Sequence, residues 1–202
     1  MEKIYLNSSL KEFIKDTSSK TPVPGGGSVA ALVGTLGASL LCMVANFTIG
    51  KRKYKDVEKE VKDILREVED VKTELSKLVE EDIKDYLKFS NRDRNNKSAS
   101  QEILKEITLT PLKTAKYSLK IIKLARRLLG KSNPHLNSDI GVGVLLAETA
   151  LRSAAFNVNI NLKSIKDEKF KKEKKDILLA ILFKGRKIKE EVIGEIESAL
   201  YS

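Results

Sequence analysis

The stretch Val29–Ile49 places the strongest constraint on the fold, because its 21 residues carry no charge. That length fits a membrane span, but polar residues such as Thr35, Ser39 and Asn46 interrupt the stretch. No second stretch like it occurs in the sequence. Small residues at every fourth position leave one helix face smooth for close packing: Ala30, Gly34 and Ala38. Since several long amphipathic patterns follow, we expect a buried central helix and no membrane partner.

The segment TPVPGGGS, Thr21–Ser28, leads directly into this helix. Three consecutive glycines expose backbone N–H groups and let a ligand approach closely. At the start of a helix these N–H groups also lie at the positive end of the helix dipole. The segment therefore predicts a seat for an anionic or carbonyl-bearing ligand; the alternative is a flexible linker after a short N-terminal helix.

Composition indicates a single all-α domain over residues 1–202, since 41% of the residues are hydrophobic and only four are proline. Cys42 is the only cysteine, which excludes an intrachain disulfide and a cysteine-based zinc site. His135 is the only histidine, which excludes a histidine-cluster metal site. The N-terminal sequence MEKIYLNSSLKEF has no continuous apolar region, so we expect a cytoplasmic protein.

The net charge of +10 favours an anionic partner. Lysine and glutamate alternate along predicted helix faces, as in Glu58–Lys62 and Glu80–Lys84, which is typical of a solvated surface. No basic cluster interleaved with aromatic residues marks a nucleic-acid site. We therefore expect a small polyanionic ligand and no nucleic acid.

The periodicity predicts long antiparallel helices in an up-and-down bundle. A short helix is expected over 8–18, capped by Ser8 or Ser9, and a long helix over 55–90. A loop should follow over 91–100, a short helical turn over 101–108, and a helix from Thr110–Pro111 to Gly130. Ser138 is expected to cap a helix over 139–162. The last helix should start after Lys166 and bury six apolar residues: Ile177, Ile181, Ile188, Val192, Ile196 and Leu200.

Asp82 breaks an otherwise regular hydrophobic seam in the long helix. Steps of four and three residues connect seven apolar positions: Val57, Val61, Ile64, Val68, Val71, Leu75 and Leu78. The next position in that register is Asp82. A buried carboxyl there would have a raised pKa and could carry protons. Alternatively, the helix rotates at this point and a shifted apolar stripe lets Asp82 turn outward, formed by Val79, Ile83, Tyr86 and Leu87.

Other polar groups concentrate near predicted helix ends, in the cationic turn Lys51–Tyr54 and the turn Asn133–Asp139. Asn157 and Asn161 lie four residues apart and so share one helix face. Alternating helix directions can bring such groups together at the ends of a bundle. The asparagines can equally satisfy backbone groups.

Four stretches of the chain resemble the cyclodeaminase domain family of folate metabolism. They are PGGGSVAALVGTLGASLLCMVANFTIGKRKY (Pro24–Tyr54), LVEEDIKDY (Leu78–Tyr86), TPLKTA (Thr110–Ala115) and NSDIGVGVLLAETALRSAAFNVNINLKSIKD (Asn137–Asp167). The family includes the C-terminal domain of formiminotransferase-cyclodeaminase and stand-alone methenyltetrahydrofolate cyclohydrolases. No formiminotransferase domain precedes these motifs, so the resemblance is to a stand-alone version.

The resemblance implies a dimeric helical bundle that binds a tetrahydrofolate derivative with one or more glutamates, without a metal or other cofactor. The family reaction converts 5-formimino-tetrahydrofolate to 5,10-methenyl-tetrahydrofolate and ammonia, and its catalytic acid corresponds to Asp82. The substrate-binding positions it implies are Pro24, Gly25, Gly26, Gly27, Ser28, Lys51, Arg52, Tyr86, Ser138, Asp139, Asn157 and Asn161. Lys51 and Arg52 would meet the glutamate tail.

Two alternatives to a cyclodeaminase stay open at this point. A methenyltetrahydrofolate cyclohydrolase opens the same ring with water through the same tetrahedral carbon. A non-catalytic folate-binding protein would share the pocket without the chemistry. No role is carried over to His135, because the turn around it varies in composition within the family. Asp139 has a second explanation as a residue favoured by the dipole at a helix start.

Overall fold

The computed structural model describes residues 4–201, and within that range the chain is helical and has no strand. Its six α-helices are α1 (Leu10–Thr17), α2 (Gly26–Thr48), α3 (Glu58–Ser90), α4 (Lys97–Leu128), α5 (Asn137–Ser164) and α6 (Glu168–Tyr201). Short 3-10 turns precede α1, α3 and α5. The predicted all-α fold is confirmed.

Helices α2 to α5 form an up-and-down bundle of four antiparallel neighbours. Ser28 meets Asp82 near one end of the α2–α3 pair, and Gly34 packs near Leu75 further along it. The α4–α5 pair is antiparallel as well, and α6 packs against both of these helices. The amino end of α2 and the carboxyl ends of α3 and α5 therefore meet at the same end of the bundle.

The uncharged stretch forms the central helix α2, which begins three residues earlier than predicted. Ala30, Gly34 and Ala38 are all buried, as the four-residue spacing indicates. Gly50, with φ of +78°, directly follows the helix and its cap residue Ile49. Among residues 4–201, α2 is the one helix long and apolar enough to span a membrane, and 56% of its most apolar window is buried inside the bundle.

The seam of α3 is buried from Val61 to Leu78, which confirms the predicted core face. The helix begins at Glu58 and not at Lys55, because residues 52–54 form a 3-10 turn first. Val79 and Ile83 are also buried. The core face therefore widens near Asp82, and the aspartate stays half-buried at its edge.

The prediction of a helix break at Thr110–Pro111 is wrong. Helix α4 runs unbroken from Lys97 to Leu128 with Pro111 inside it. A proline has no N–H to donate to the carbonyl four residues earlier, here that of Ile107. The Asn161 side chain of α5 donates a hydrogen bond to that carbonyl instead, at 3.4 Å. A contact between helices thus compensates for the local defect.

Three smaller predictions concern helix ends. Ser9 caps α1 by accepting a hydrogen bond from the Glu12 N–H, as expected. Ser138 does not cap α5, because that helix starts at Asn137 and Leu136 occupies the cap position. Leu200 is exposed and not buried. It lies one turn beyond Ile196, which packs near the first turns of α5, so no neighbouring helix covers it.

Candidate active site

A cleft of 380 Å³ opens at the end of the bundle where α2 begins. Its walls combine the predicted glycine segment with the last turns of α3, the middle of α4 and the last turns of α5. The lining residues are Pro22, Val23, Gly25, Gly26, Gly27, Asp82, Asp85, Tyr86, Phe89, Ile107, Pro111, Asn157, Ile160 and Asn161. These segments are far apart in the sequence, and only the antiparallel packing of the helices brings them together.

Asp82 is held against the first turn of α2 by Ser28. The Ser28 backbone N–H and its hydroxyl both donate to Asp82 Oδ2, each at 2.8 Å. Ser28 is completely buried. The helix start predicted to receive an anion is therefore occupied in part by the protein's own carboxylate, which the helix dipole also favours.

Gly27 provides the space that this carboxylate occupies. A Cβ atom added at Gly27 would overlap the Asp82 carboxylate and lie 2.5 Å from its Cγ. Any side chain at Gly27 would therefore displace Asp82. Gly26, one residue earlier, has open space by comparison, with its nearest neighbour Asn157 Oδ1 at 4.0 Å.

Burial raises the pKa of Asp82, while the two hydrogen bonds from Ser28 oppose this by stabilising the carboxylate. Oδ2 accepts both of those bonds, and Oδ1 accepts none from the described residues. The side chain lines the cleft. Asp82 is thus a positioned carboxyl group with one oxygen available to a ligand.

Asp85 is a second acidic residue in the cleft, and the sequence analysis missed it. Its Oδ2 is buried without a hydrogen-bond partner among the described residues. Burial raises the pKa of Asp85, the nearby Thr110 hydroxyl lowers it, and the nearby charge of Glu81 raises it again. The available signal was the spacing of three residues from Asp82, which places both carboxyls on one helix face.

The remaining predicted residues at this end differ in what they contact. Tyr86 and Asn157 line the cleft, as does Asn161, which also satisfies the Ile107 carbonyl. Pro24 is buried behind the lining and leads the chain into α2. Phe89, Ile107 and Ile160 supply apolar walls. The cleft therefore offers acidic groups beside surfaces that suit flat aromatic rings.

Four predicted binding residues do not join this cleft within one chain: Lys51, Arg52, Ser138 and Asp139. Helix α2 is 23 residues long, so its two ends lie about 35 Å apart at 1.5 Å per residue. Lys51 and Arg52 follow its far end, and Ser138 and Asp139 begin the antiparallel α5 at that same end. The expectation that all these groups meet at one site is corrected by the direction of the helices. His135 also lies at the far end, exposed.

Among residues 4–201, no group of three or more histidine, cysteine or acidic side chains is arranged to hold a metal ion. The chemical groups that the structure places in the cleft are two carboxyls, one phenol, two side-chain amides and the first turn of α2. Such a set suits proton transfer to and from a nitrogen-rich ligand.

These features describe an all-helical bundle with paired carboxyl groups in an end cleft. The same helical fold occurs in a solved protein. The crystal structure of formiminotetrahydrofolate cyclodeaminase from Thermotoga maritima superposes with a TM-score of 0.93 at 29% identity, over 96% of this chain and 98% of that one. Residues 9–178 match the formiminotransferase-cyclodeaminase family. The chain belongs to this family.

Two named relatives show the range of the family. The methenyltetrahydrofolate cyclohydrolase of Methylorubrum extorquens is 33% identical over 95% of this chain and 97% of its own length. The formimidoyltransferase-cyclodeaminase of Rattus norvegicus is 28% identical over 98% of this chain, which spans only 38% of that longer protein. The chain thus matches one relative along its entire length and one part of the other.

Proposed function

We propose that this protein converts 5-formimino-tetrahydrofolate to 5,10-methenyl-tetrahydrofolate and ammonia in the cleft, with Asp82 as general acid and base. The observation that carries the proposal is the Asp82 carboxyl, fixed by two hydrogen bonds from Ser28 and opening into the cleft. Membership of the family and the likeness to the Thermotoga maritima cyclodeaminase support it.

The chemistry requires one proton to move between two nitrogen atoms. N10 of the substrate attacks the carbon of the protonated formimino group. The new N10–C bond forms as the electron pair of the C=N π bond moves to the nitrogen, so the carbon becomes tetrahedral and carries an amino group. Asp82 takes the proton from N10 and delivers it to the amino group on that carbon. The C–N bond to this group then breaks, ammonia leaves, and the remaining electron pairs on N5 and N10 stabilise the methenyl bridge. A raised pKa suits this exchange, because the carboxyl can hold the proton between the two steps.

The rest of the cleft provides binding groups for such a substrate. Asp85, which lines the cleft, can accept hydrogen bonds from the N–H groups that a pterin ring presents. Phe89, Ile107 and Ile160 offer apolar contacts to the rings. The mechanism uses no cofactor besides the folate itself, and we expect full activity after dialysis against a chelator.

A specific observation favours a second candidate, methenyltetrahydrofolate cyclohydrolase. The relative with that name matches this chain over nearly its whole length. In this reaction water adds to the methenyl carbon and the ring opens, so the same carboxyl would remove a proton from water. Both reactions pass through a tetrahedral carbon between N5 and N10.

One assay separates these functions. The purified wild type and the Asp82→Asn variant are each incubated either with 5-formimino-tetrahydrofolate or with methenyl-tetrahydrofolate. The absorbance of the methenyl compound is followed in each case. Methenyl formation that the variant loses supports the cyclodeaminase, and accelerated methenyl loss supports the cyclohydrolase. Folate binding with neither reaction would make the protein a non-catalytic folate binder and overturn the proposal.

We further propose that the protein is a cytoplasmic homodimer in which a second copy covers one face of α2 and α5. This face exposes a set of large apolar side chains: Leu36, Phe47, Val142, Leu145, Phe156 and Ile160. Contiguous exposed apolar surface of this kind is typical of an interface. Sedimentation should show a dimer that Phe156→Glu dissociates. A monomer, or a protein that pellets with lipid vesicles, would contradict this proposal.

A further inference from the structure

A second cavity, of 220 Å³, lies beside the cleft and is lined by four basic residues. These residues, which we call the cationic cluster, are Arg92, Arg94, Lys97 and Lys166. Arg92 and Arg94 follow the end of α3, Lys97 is the first residue of α4, and Lys166 follows the end of α5. Two chain segments, the α3–α4 connection and the residues after α5, thus converge to place positive charge around one cavity.

None of these four side chains forms a salt bridge with a carboxylate among residues 4–201. Lys105, a near neighbour in α4, shows the usual situation: Glu102 and Asp167 each lie 3.0 Å from its ammonium group. Within the described part of the chain, no salt bridge therefore offsets the repulsion between the like charges of this cluster. An anion with several negative groups would relieve this repulsion.

The cationic cluster adjoins the cleft. The Arg92 guanidinium lies 3.6 Å from the centroid of the Phe89 ring, and Phe89 lines the cleft. On α4, Ile107 lines the cleft and Leu104, one turn earlier, lines the second cavity. Ile107 and Lys97 are ten residues apart, which is about 15 Å along the helix. A ligand can therefore occupy both cavities at once.

The groups in the cluster suit carboxylates. One Arg92 nitrogen donates to the Phe89 carbonyl at 2.6 Å, which fixes the guanidinium, while its buried Nε has no partner among the described residues. Guanidinium groups bind carboxylates through paired hydrogen bonds, and lysines add charge without a fixed geometry. The start of α4, whose cap is Asn96, also places the positive end of a helix dipole here.

We propose that the cationic cluster binds the carboxylates of the folate's glutamyl tail while the reacting end of the folate lies beside Asp82. This inference rests on the proposed function, because it concerns the same folate substrate and names the residues that bind its anionic tail. The sequence resemblance implied that Lys51 and Arg52 bind the glutamate tail, but these two residues lie at the other end of the helical bundle. The inference assigns tail binding to the cationic cluster instead.

The test compares ligands that differ only in the tail. Binding of tetrahydrofolate with several γ-linked glutamates, with one glutamate, and of the tetrahydropteroate that lacks glutamate is measured by calorimetry at low and high salt. The test variant is the triple change Arg94→Ala, Lys97→Ala and Lys166→Ala. Arg92 is kept because its contacts with Phe89 also shape the cleft. The matched control is Lys51→Ala, Arg52→Ala and Lys53→Ala, which removes the same charge from the far end.

We expect the test variant to weaken binding of the glutamylated folates by about tenfold or more, with the largest loss for several glutamates and none for tetrahydropteroate. The control should bind all ligands as the wild type does, and only the wild type and control should show strong salt dependence. An equal loss for tetrahydropteroate, or an equal loss in the control, would overturn the inference.

Turnover of 5-formimino-tetrahydrofolate distinguishes failure of the inference from failure of the proposed function. Turnover by the wild type with unchanged KM in the test variant would overturn only the inference. Cluster-dependent binding without turnover of either folate would overturn only the proposed reaction. In the test variant with intact chemistry, we expect KM to rise and kcat to stay the same.

Discussion

Helix α2 uses glycine in two regions for different purposes. In its first turn, a Cβ at Gly27 would overlap the Asp82 carboxylate, a polar group at the end of a flexible side chain. In its middle, a Cβ at Gly37 would lie 2.8 Å from the backbone carbonyl of Gly143 in α5. Both glycines are required by close approach, yet one approaches a titratable group and the other a neighbouring helix backbone.

The two contacts differ in what a larger residue would disturb: catalysis at Gly27 and stability at Gly37. The Asp82 side chain can rotate away from an added methyl group at little cost in packing, so a change at Gly27 acts on the chemistry. The backbone of α5 can move only together with the helix, so a change at Gly37 acts on stability. Activity and stability should therefore separate along one helix.

The largest effect on turnover should come from replacing the Asp82 carboxyl group, for which Gly27 leaves room. Asp82→Asn keeps the size of the side chain and an oxygen that accepts from Ser28, but it cannot exchange a proton. We expect kcat to fall by about 10³-fold with the fold intact by circular dichroism. A kcat within tenfold of the wild type would show that Asp82 is not the acid–base group.

Gly27→Ala should have the next largest effect on turnover. Displacing the Asp82 carboxyl by about 1 Å should lower kcat by about 10²-fold, while the midpoint of urea unfolding changes little. Gly26→Ala is the matched control, because a Cβ there meets no atom closer than 4.0 Å. Equal turnover in the two variants would contradict the conclusion that Gly27 is required to make room for the Asp82 carboxylate.

Gly37→Ala should show the opposite pattern. Pushing α2 away from α5 should cost about 2 kcal/mol of unfolding free energy, and kcat per folded molecule should stay close to that of the wild type. Gly194→Ala in α6 provides the control, since nothing lies within 4 Å of an added Cβ there; it should gain about 0.5–1 kcal/mol through helix propensity. A loss of turnover in Gly37→Ala without loss of stability would contradict the separation.

The smallest effect is the part of the pH dependence of stability that comes from Asp82, which a change at Gly37 should leave unaltered. Burial raises the folded-state pKa of Asp82 above its unfolded value, so the folded protein binds this proton more tightly. Stability should therefore decrease as the pH rises from the unfolded value of about 3.9 through the folded pKa. Above that window Asp82→Asn should be more stable than the wild type, and the gain should vanish below it.

Urea unfolding of the wild type, Asp82→Asn and Gly37→Ala across this pH range measures the effect. The stability difference between Gly37→Ala and the wild type should stay constant with pH, because no charge is altered. A gain in Asp82→Asn that persists at the lowest pH would mean that ionisation of Asp82 does not cause it.

Local patterns were sufficient for most of the fold. The heptad seam of α3 and the small-residue face of α2 predicted which faces are buried, because helical periodicity is set by the backbone itself. The break of the seam at Asp82 located a carboxyl that the structure places in the cleft. The helix break predicted at Pro111 does not occur because the lost hydrogen bond is compensated by Asn161, some fifty residues later in the chain.

The sequence by itself determined the helical class, the central position of α2 and the residue types available for proton transfer, since these depend on composition and short-range spacing. Only the tertiary structure decided which groups share a site. It placed Asp85 beside Asp82 and put Lys51 and Arg52 at the opposite end, where Ser138 and Asp139 also lie. It brought Arg92, Arg94, Lys97 and Lys166 together instead. The physical reason is that helix direction and packing, which no local pattern encodes, set the distances between residues far apart in the chain.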